Sequence, residues 1–248
     1  MKDYKCLLTV LGSGSAVPYE NRVSSSYLVE FENTKILLDA GFCVVYRLAD
    51  IGVSLDDIDT VFITHKHPDH FMGLIHFLFA LKNPIYKNRN KLQIYGFKGL
   101  GNFLDEFKNI LGKWICPERE IEIIEEYEGK FKNINYRILP VFHTEESVGI
   151  YINGMGKSLF YTGDTEYFES LTKGCSNIDL LIADCAANKK NIVKGHMNFE
   201  EVIRLGMKIS AKKILFSHFY PDSDKFEINA LDYDFIPFKA YDLMKILI

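Results

Sequence analysis

The hexapeptide His65-Lys66-His67-Pro68-Asp69-His70 constrains this chain more than any other feature. It holds three of the seven histidines in 248 residues, together with one carboxylate. Imidazole nitrogen and carboxylate oxygen are preferred ligands of Zn²⁺ and related divalent cations. A strand-like run, Thr60–Thr64, precedes the hexapeptide, and an apolar helix-like run, Phe71–Leu81, follows it. We therefore predict a metal site between a buried strand and a helix, with a polar loop that carries histidines by chance as the alternative.

Further polar side chains follow strand-like runs in the second half of the chain. His143 and His218 directly follow such runs, His196 follows a weaker one, and Asp164 follows Leu159-Phe160-Tyr161 through a Thr-Gly turn. Polar residues placed after buried strands converge on one edge of the sheets. Counting donors gives two metal sites: one with His65, His67 and His143, the other with Asp69, His70 and His218, and Asp164 as a bridge. His76 is left over and is assigned to the core or to a helix face, with no functional role.

The motifs that carry these residues are the hexapeptide, His143, Thr162-Gly163-Asp164-Thr165 and Ser217-His218. Together they resemble the metallo-β-lactamase fold hydrolase superfamily, and most closely its phosphodiesterase branch, which includes ribonuclease Z. Supporting motifs extend over nearly the whole chain, at Leu11–Pro18, Leu37–Gly41, Lys194-Gly195-His196 and Asp242–Ile246. The resemblance implies an α+β fold of αββα type, a four-layer sandwich formed as a single domain by residues 1–248.

The resemblance also implies a metal-dependent hydrolase with two divalent ions, zinc or alternatively manganese or iron. Such a pair lowers the pKa of a bridging water from about 15.7 towards about 7, so that hydroxide is available to attack a phosphodiester. Asp69 is expected to accept a proton as well as to bind metal. His196 is expected to stabilise the phosphate or to protonate the leaving oxygen, with orientation of a metal ligand as its alternative role.

Two departures from ribonuclease Z narrow the expected substrate. That enzyme carries a long tRNA-binding arm between the residues that match His143 and Asp164, whereas here only twenty residues (144–163) separate them. Its late motif continues His-Ser-Thr, whereas this chain has His196-Met197-Asn198. The sequence therefore resembles compact relatives without the arm, and a small or nucleotide-derived phosphodiester is the expected substrate. A tRNA 3′-processing endoribonuclease that binds RNA, and a carboxylic ester, thioester or lactone hydrolase, are the alternatives.

Charge and composition fit an enzyme of this kind. The formal net charge of −4 argues against a dedicated nucleic-acid binder, because such proteins use Lys and Arg to contact phosphates. No apolar run approaches the ~20 residues that span a bilayer, so no membrane partner is expected. The five cysteines form no C-x-x-C pair, which favours a reducing cytoplasm. The resemblance leaves a homodimer open.

Helices are predicted at about Phe42–Ile51, Phe71–Leu81, Leu100–Leu111, Glu166–Thr172 and Phe199–Ile209. Strands are predicted at Cys6–Leu11, Ser26–Phe31, Lys35–Leu38, Thr60–Thr64, Leu92–Gly96, Ile121–Ile124, Tyr136–Val141, Ser147–Asn153, Lys157–Tyr161, Asp179–Ala183, Ile214–Ser217 and Asp242–Ile248. Asn198 is a suitable N-cap for the last of them. Aromatic and basic residues between Lys82 and Gly129, and Phe219-Tyr220-Pro221 after His218, are predicted either to line the cleft or to pack.

Overall fold

The computed structural model describes residues 6–87, 90–173, 175–188, 193–229 and 233–248. Asn191 and Ile192, in the weak strand predicted before His196, lie outside these ranges. Within them the chain forms two seven-stranded mixed sheets with flanking helices. This architecture confirms the predicted α+β fold of αββα type.

The first sheet contains the strands of the first half of the chain. β1 (Leu7–Gly12), β2 (Ser26–Phe31), β3 (Thr34–Leu38), β4 (Thr60–Ile63), β5 (Leu92–Gly96) and β6 (Ile121–Ile124) lie side by side in chain order, and β14 (Lys245–Leu247) pairs with β1. From β3 to β6 the strands are parallel, so their carboxyl ends share one edge. β1, β2 and β4 are buried along their whole length, which explains their nearly continuous apolar runs.

The second sheet contains β7 (Glu128–Phe131), β8 (Ile134–Pro140), β9 (Val148–Gly154), β10 (Lys157–Tyr161), β11 (Leu180–Asp184), β12 (Lys213–Ser217) and β13 (Ile236–Lys239), again in chain order. From β7 to β10 the strands are antiparallel, and from β10 to β13 they are parallel. The carboxyl ends of β8, β10, β11 and β12 therefore meet at one edge. There the N–H of Val148 donates to the carbonyl of Thr64 at 3.0 Å, which joins this edge to the end of β4.

The helices are α1 (Val44–Asp50), α2 (Pro68–Ala80), α3 (Leu100–Leu111) and α4 (Phe199–Lys208). Asn198 caps α4 as predicted: its side chain accepts a hydrogen bond from the N–H of Glu201, whose carboxylate accepts one from the N–H of Asn198. The helix predicted at Glu166–Thr172 is wrong, since only a 3-10 turn forms at Glu169–Thr172. Phe168 is extended there (φ −146°) and stacks on Phe142, with ring centroids 4.1 Å apart.

Candidate metal centre

The hexapeptide begins where β4 ends and continues into the first turn of α2. His67 has an extended backbone (φ −63°, ψ 137°), and Pro68 takes the first helical position, where its missing N–H costs nothing. The N–H of His70 donates to the His67 carbonyl at 2.9 Å. This tight turn brings the ring centroid of His65 within 4.6 Å of that of His67 and within 4.3 Å of that of His70.

The first predicted group of metal ligands lies together in space. His65, His67, His143 and Asp164 each offer a ligand atom, and these atoms lie within 4.8 Å of one another. His143 Nε2 lies 3.0 Å from His67 Nδ1, and His65 Nε2 lies 3.7 Å from Asp164 Oδ2. Because His143 follows β8 and Asp164 follows β10, this group joins the two sheets.

The second predicted group lies directly beside the first. The ligand atoms of Asp69, His70 and His218 also lie within 4.8 Å of one another, and His70 Nε2 is 3.1 Å from His218 Nε2. Asp164 Oδ2 lies 3.2 Å from His70 Nε2 and 3.4 Å from His218 Nε2. The Asp164 carboxylate therefore stands between the two groups, the position expected of a bridging ligand.

The donor set fits divalent cations. His65 Nε2 and Asp164 Oδ1 are buried and have no hydrogen-bond partner among the residues that the structure describes. An unpaired buried polar atom costs about 1–3 kcal/mol, so two in one cluster need an explanation. Ring nitrogens that face each other at about 3 Å need a proton or a cation between them, and five imidazoles with two carboxylates suit Zn²⁺, Mn²⁺ or Fe²⁺.

Burial and neighbouring charges set the ionisation of the group. Burial and the nearby His70 keep the pKa of His65 well below its usual value, so His65 is neutral. Burial opposes ionisation of Asp164, but the imidazoles of His218 and His70 hold the pKa of its carboxyl well below the usual range. For His218, burial lowers the pKa, yet carboxylates led by Asp164 raise it to about 10. A cation that binds here therefore displaces protons.

Asp39 orients His70, a role that the sequence analysis missed. It is fully buried after β3, and its Oδ2 accepts hydrogen bonds from His70 Nδ1 at 2.7 Å, the Thr64 hydroxyl at 2.8 Å and the Tyr161 hydroxyl at 2.7 Å. The N–H of Thr64 donates to its Oδ1 at 2.8 Å. Holding Nδ1 in this way directs Nε2 of His70 into the cluster.

Asp184 is the second missed residue. It ends β11, and its Oδ2 accepts hydrogen bonds from His196 Nδ1 at 2.8 Å and from the N–H of Thr165 at 3.0 Å. Its Oδ1 lies 3.5 Å from His218 Nδ1. One carboxylate thus faces both His196 and His218. Asp39 and Asp184 could have been found from the sequence by the rule that found Asp164, since each lies at the carboxyl end of a buried strand.

His196 lies against the metal groups, with its ring centroid 4.8 Å from that of His143 and 5.3 Å from that of His218, on which it stacks. Burial lowers the pKa of His196, but Asp184 raises it by a larger amount, so the net shift is upward. The preceding Gly195 has φ +84°, and its carbonyl accepts a hydrogen bond from His143 Nδ1 at 2.9 Å. A Cβ there would lie 2.7 Å from that nitrogen, so glycine is required.

Of the aromatic residues that were predicted either to line the cleft or to pack, some lie beside the candidate metal ligands and others pack elsewhere. Phe219 is fully buried and packs, whereas Tyr220 is half-buried with its ring 5.9 Å from the rings of both His196 and His218. Burial raises the pKa of Tyr220, and the carboxylates of Asp69, Asp164 and Asp184 raise it further. Trp114, in the 82–129 segment, packs against Phe79.

Comparison with known proteins agrees with this geometry. Residues 6–240 match the family described as Anti-Pycsar protein Apyc1. The chain belongs to this family. It is also similar to ribonuclease Z of Ignicoccus hospitalis, at 25% identity over 85% of this chain and 86% of that protein. Among solved structures, the metallo-β-lactamase fold protein YhfI from Bacillus subtilis (TM-score 0.80, 21% identity, 97% of this chain and 98% of that one) has the same fold. So does the short form of human tRNase Z (TM-score 0.79, 22% identity, the same coverage).

These similarities confirm the metallo-β-lactamase fold and the resemblance to ribonuclease Z. Between His143 and Asp164 this chain has only the β9–β10 hairpin, which turns at Met155-Gly156, so no arm is inserted there. Within the described residues, no helix is long and apolar enough to cross a membrane.

Proposed function

We propose that this chain is a dinuclear-metal-dependent phosphodiesterase that hydrolyses a small or nucleotide-derived phosphodiester. The observation that carries the proposal is the meeting, at one edge of the two sheets, of seven side chains whose nitrogen and oxygen atoms suit two divalent cations. Two of those atoms, His65 Nε2 and Asp164 Oδ1, are buried without a hydrogen-bond partner among the described residues. The residues that would hold the cations are His65, His67, Asp69, His70, His143, Asp164 and His218. When bound, two divalent cations lower the pKa of water and offset the charge that builds on the phosphate.

Asp69 supplies the proton acceptor. Its Oδ2 lies 3.5 Å from His218 Nε2 and 3.6 Å from His70 Nε2. Burial opposes ionisation, but these imidazoles hold the carboxyl pKa below its usual range, so Asp69 is a carboxylate at neutral pH. It can take the proton of the water whose oxygen forms the new bond to phosphorus.

His196 supplies the proton donor. Asp184 holds Nδ1 of His196, so Nε2 is the nitrogen left to face a substrate. As the bond from phosphorus to the leaving oxygen breaks, His196 gives that oxygen a proton, and the products are an alcohol and a phosphomonoester. A general acid of this kind contributes about 10²–10⁴-fold.

Metal analysis combined with a substrate screen tests the function. We expect two divalent ions per chain and turnover of bis(p-nitrophenyl) phosphate and of some linear or cyclic nucleotide diesters. Asp69→Ala should abolish turnover, whereas Asp105→Ala, a matched control on the exposed face of α3, should not change it. Full activity of D69A would contradict the proposal, as would hydrolysis of lactones without any hydrolysis of phosphodiesters.

His196→Ala separates the two roles considered for this residue. Loss of a general acid should slow diesters with alkyl leaving groups by about 10²–10⁴-fold, but p-nitrophenyl esters much less, because p-nitrophenolate leaves without a proton. Equal losses on both substrates, accompanied by loss of metal, would instead show that His196 orients a ligand.

The similarity to proteins named ribonuclease Z favours tRNA 3′-end processing as a second candidate. The short β9–β10 hairpin and the net charge of −4 count against it, because RNA would have to dock on another surface. Incubation with a precursor tRNA separates the candidates: accurate 3′-end cleavage supports the endoribonuclease, and turnover of small diesters alone supports the phosphodiesterase.

A further inference from the structure

Tyr220 lies beside the two groups of candidate metal ligands, and the proposed function gives it no role. It comes two residues after His218, and its ring stands nearly perpendicular to the stacked imidazoles of His196 and His218, at interplanar angles of 72° and 76°. The Tyr220 ring therefore packs beside the stacked pair formed by the candidate proton donor and a candidate metal ligand, with its centroid 5.9 Å from that of each.

The backbone around Tyr220 holds it in place. The N–H of Tyr220 donates to Ser223 Oγ at 2.9 Å, while the carbonyl of Tyr220 accepts from Ser223 Oγ at 3.0 Å and from the N–H of Ser223 at 3.1 Å. The adjacent Phe219 is fully buried, and its N–H donates to the carbonyl of Ser13 at 3.0 Å. A side chain on such a fixed backbone needs little reorganisation to meet a ligand.

The polar end of Tyr220 is available for a ligand. Among the residues that the structure describes, none makes a hydrogen bond with its hydroxyl, although the side chain is half-buried. The hydroxyl is also within electrostatic reach of Asp69, Asp164 and Asp184. A tyrosine hydroxyl keeps its proton at neutral pH and is a good donor to an anionic oxygen.

We propose that the Tyr220 hydroxyl donates a hydrogen bond to a non-bridging oxygen of the substrate phosphate. This inference rests on the proposed phosphodiesterase function and adds to it a residue that binds the phosphate. The same contact holds a phosphomonoester product or inorganic phosphate, because both present equivalent oxygens. A contact that substrate and transition state share raises KM when it is lost and leaves kcat nearly unchanged.

The test is Tyr220→Phe, which removes the hydroxyl and keeps the ring against His196 and His218. Tyr46→Phe is the matched control, since Tyr46 is an exposed tyrosine on α1. On the metal-loaded proteins we would measure metal content, the Kd of inorganic phosphate by calorimetry, and KM and kcat for bis(p-nitrophenyl) phosphate. For Y220F we expect about a tenfold rise in the phosphate Kd and in KM, with unchanged metal content, because a hydrogen bond to a charged group has that magnitude. Y46F should match the wild type.

The outcomes distinguish this inference from the function on which it rests. If the wild type hydrolyses no diester but Y220F still weakens phosphate binding, the contact stands and the phosphodiesterase proposal fails. If diesters are hydrolysed and Y220F changes neither Kd nor KM, the phosphodiesterase stands and the contact is overturned. Failure of the wild type to bind phosphate overturns the contact, and so does a Y220F defect that is confined to kcat and accompanied by loss of metal.

Discussion

The carboxylate of Asp39 offers the sharpest test of how the fold prepares the metal centre. It accepts four hydrogen bonds while fully buried, three at Oδ2 and one at Oδ1. In Asp39→Asn, the amide oxygen can keep the Oδ2 partners only if its NH₂ group faces the N–H of Thr64. The hydrogen bond from the Thr64 N–H is then replaced by two donors that face each other, the Thr64 N–H and the Asn NH₂. The negative charge that orients His70 is also lost. We expect a loss of about 3 kcal/mol in the free energy of unfolding and metal affinity about 10–100-fold weaker.

Two measurements check this expectation. Urea unfolding of the metal-free proteins gives the stability change, and competition with a chromophoric chelator gives the zinc affinity. Tyr161→Phe is the graded control: it removes one donor to Asp39 Oδ2, should cost about 1–2 kcal/mol, and leaves the His70 contact intact, so zinc affinity should stay near that of the wild type. If D39N binds zinc as tightly as the wild type, Asp39 does not orient His70 and the reasoning is refuted.

Three further predictions concern single residues. Gly195→Ala places a Cβ 2.7 Å from His143 Nδ1, so it should weaken the affinity for zinc at the His143 site about tenfold in a zinc titration. Gly156→Ala is the control, because Gly156 has a similar positive φ but lies in open space, and it should lower stability without changing the zinc titration. Burial raises the pKa of the Asp179 carboxyl, but hydrogen bonds from Lys212 and Ser158 outweigh it, so the folded-state pKa is lowered. Asp179→Asn should therefore lose about 1–2 kcal/mol of stability at pH 7, measured by urea unfolding. This loss should persist down to about pH 4 and vanish only as the pH falls through the folded pKa, and a pH-independent difference would refute the prediction. Burial lowers the pKa of His218, but nearby carboxylates led by Asp164 raise it to about 10 in the metal-free protein. Zinc binding at pH 7.5 should therefore release at least about one proton per chain, measured by calorimetry in two buffers. Zero proton release would contradict the assignment of His218 as a ligand.

Most of the strands could be predicted because their signal is local. Buried parallel strands read as short apolar runs, and the residue that follows each run lies at the edge where sites form. β7 and β13 were missed for the opposite reason. The sequence of β7, Glu-Gly-Lys-Phe, has little intrinsic strand preference, and β13 contains Pro237, which is tolerated because the strand lies at a sheet edge.

The predicted strand Asp242–Ile248 shortened to Lys245–Leu247 because of contacts distant in sequence. Asp242 accepts hydrogen bonds from the N–H groups of Ser13 and Val23 and from Arg47, and Leu243 takes a left-handed backbone (φ +65°). The helix predicted at Glu166–Thr172 failed similarly, since Phe168 takes an extended backbone (φ −146°) and stacks on Phe142, which is distant in sequence. Local propensity lost to tertiary contacts in both segments.

The sequence by itself determined the kinds of donor atoms and the strands that they follow, because these depend on residue type and local apolar pattern. The fold class came from the resemblance that its motifs carry. Only the tertiary structure decided which carboxylates orient which imidazoles, that Asp164 stands between two groups, and that the Tyr220 ring packs beside His196 and His218. Those relations depend on distances of a few ångströms between residues far apart in the chain. Only the pairing and closure of the two sheets fix such distances.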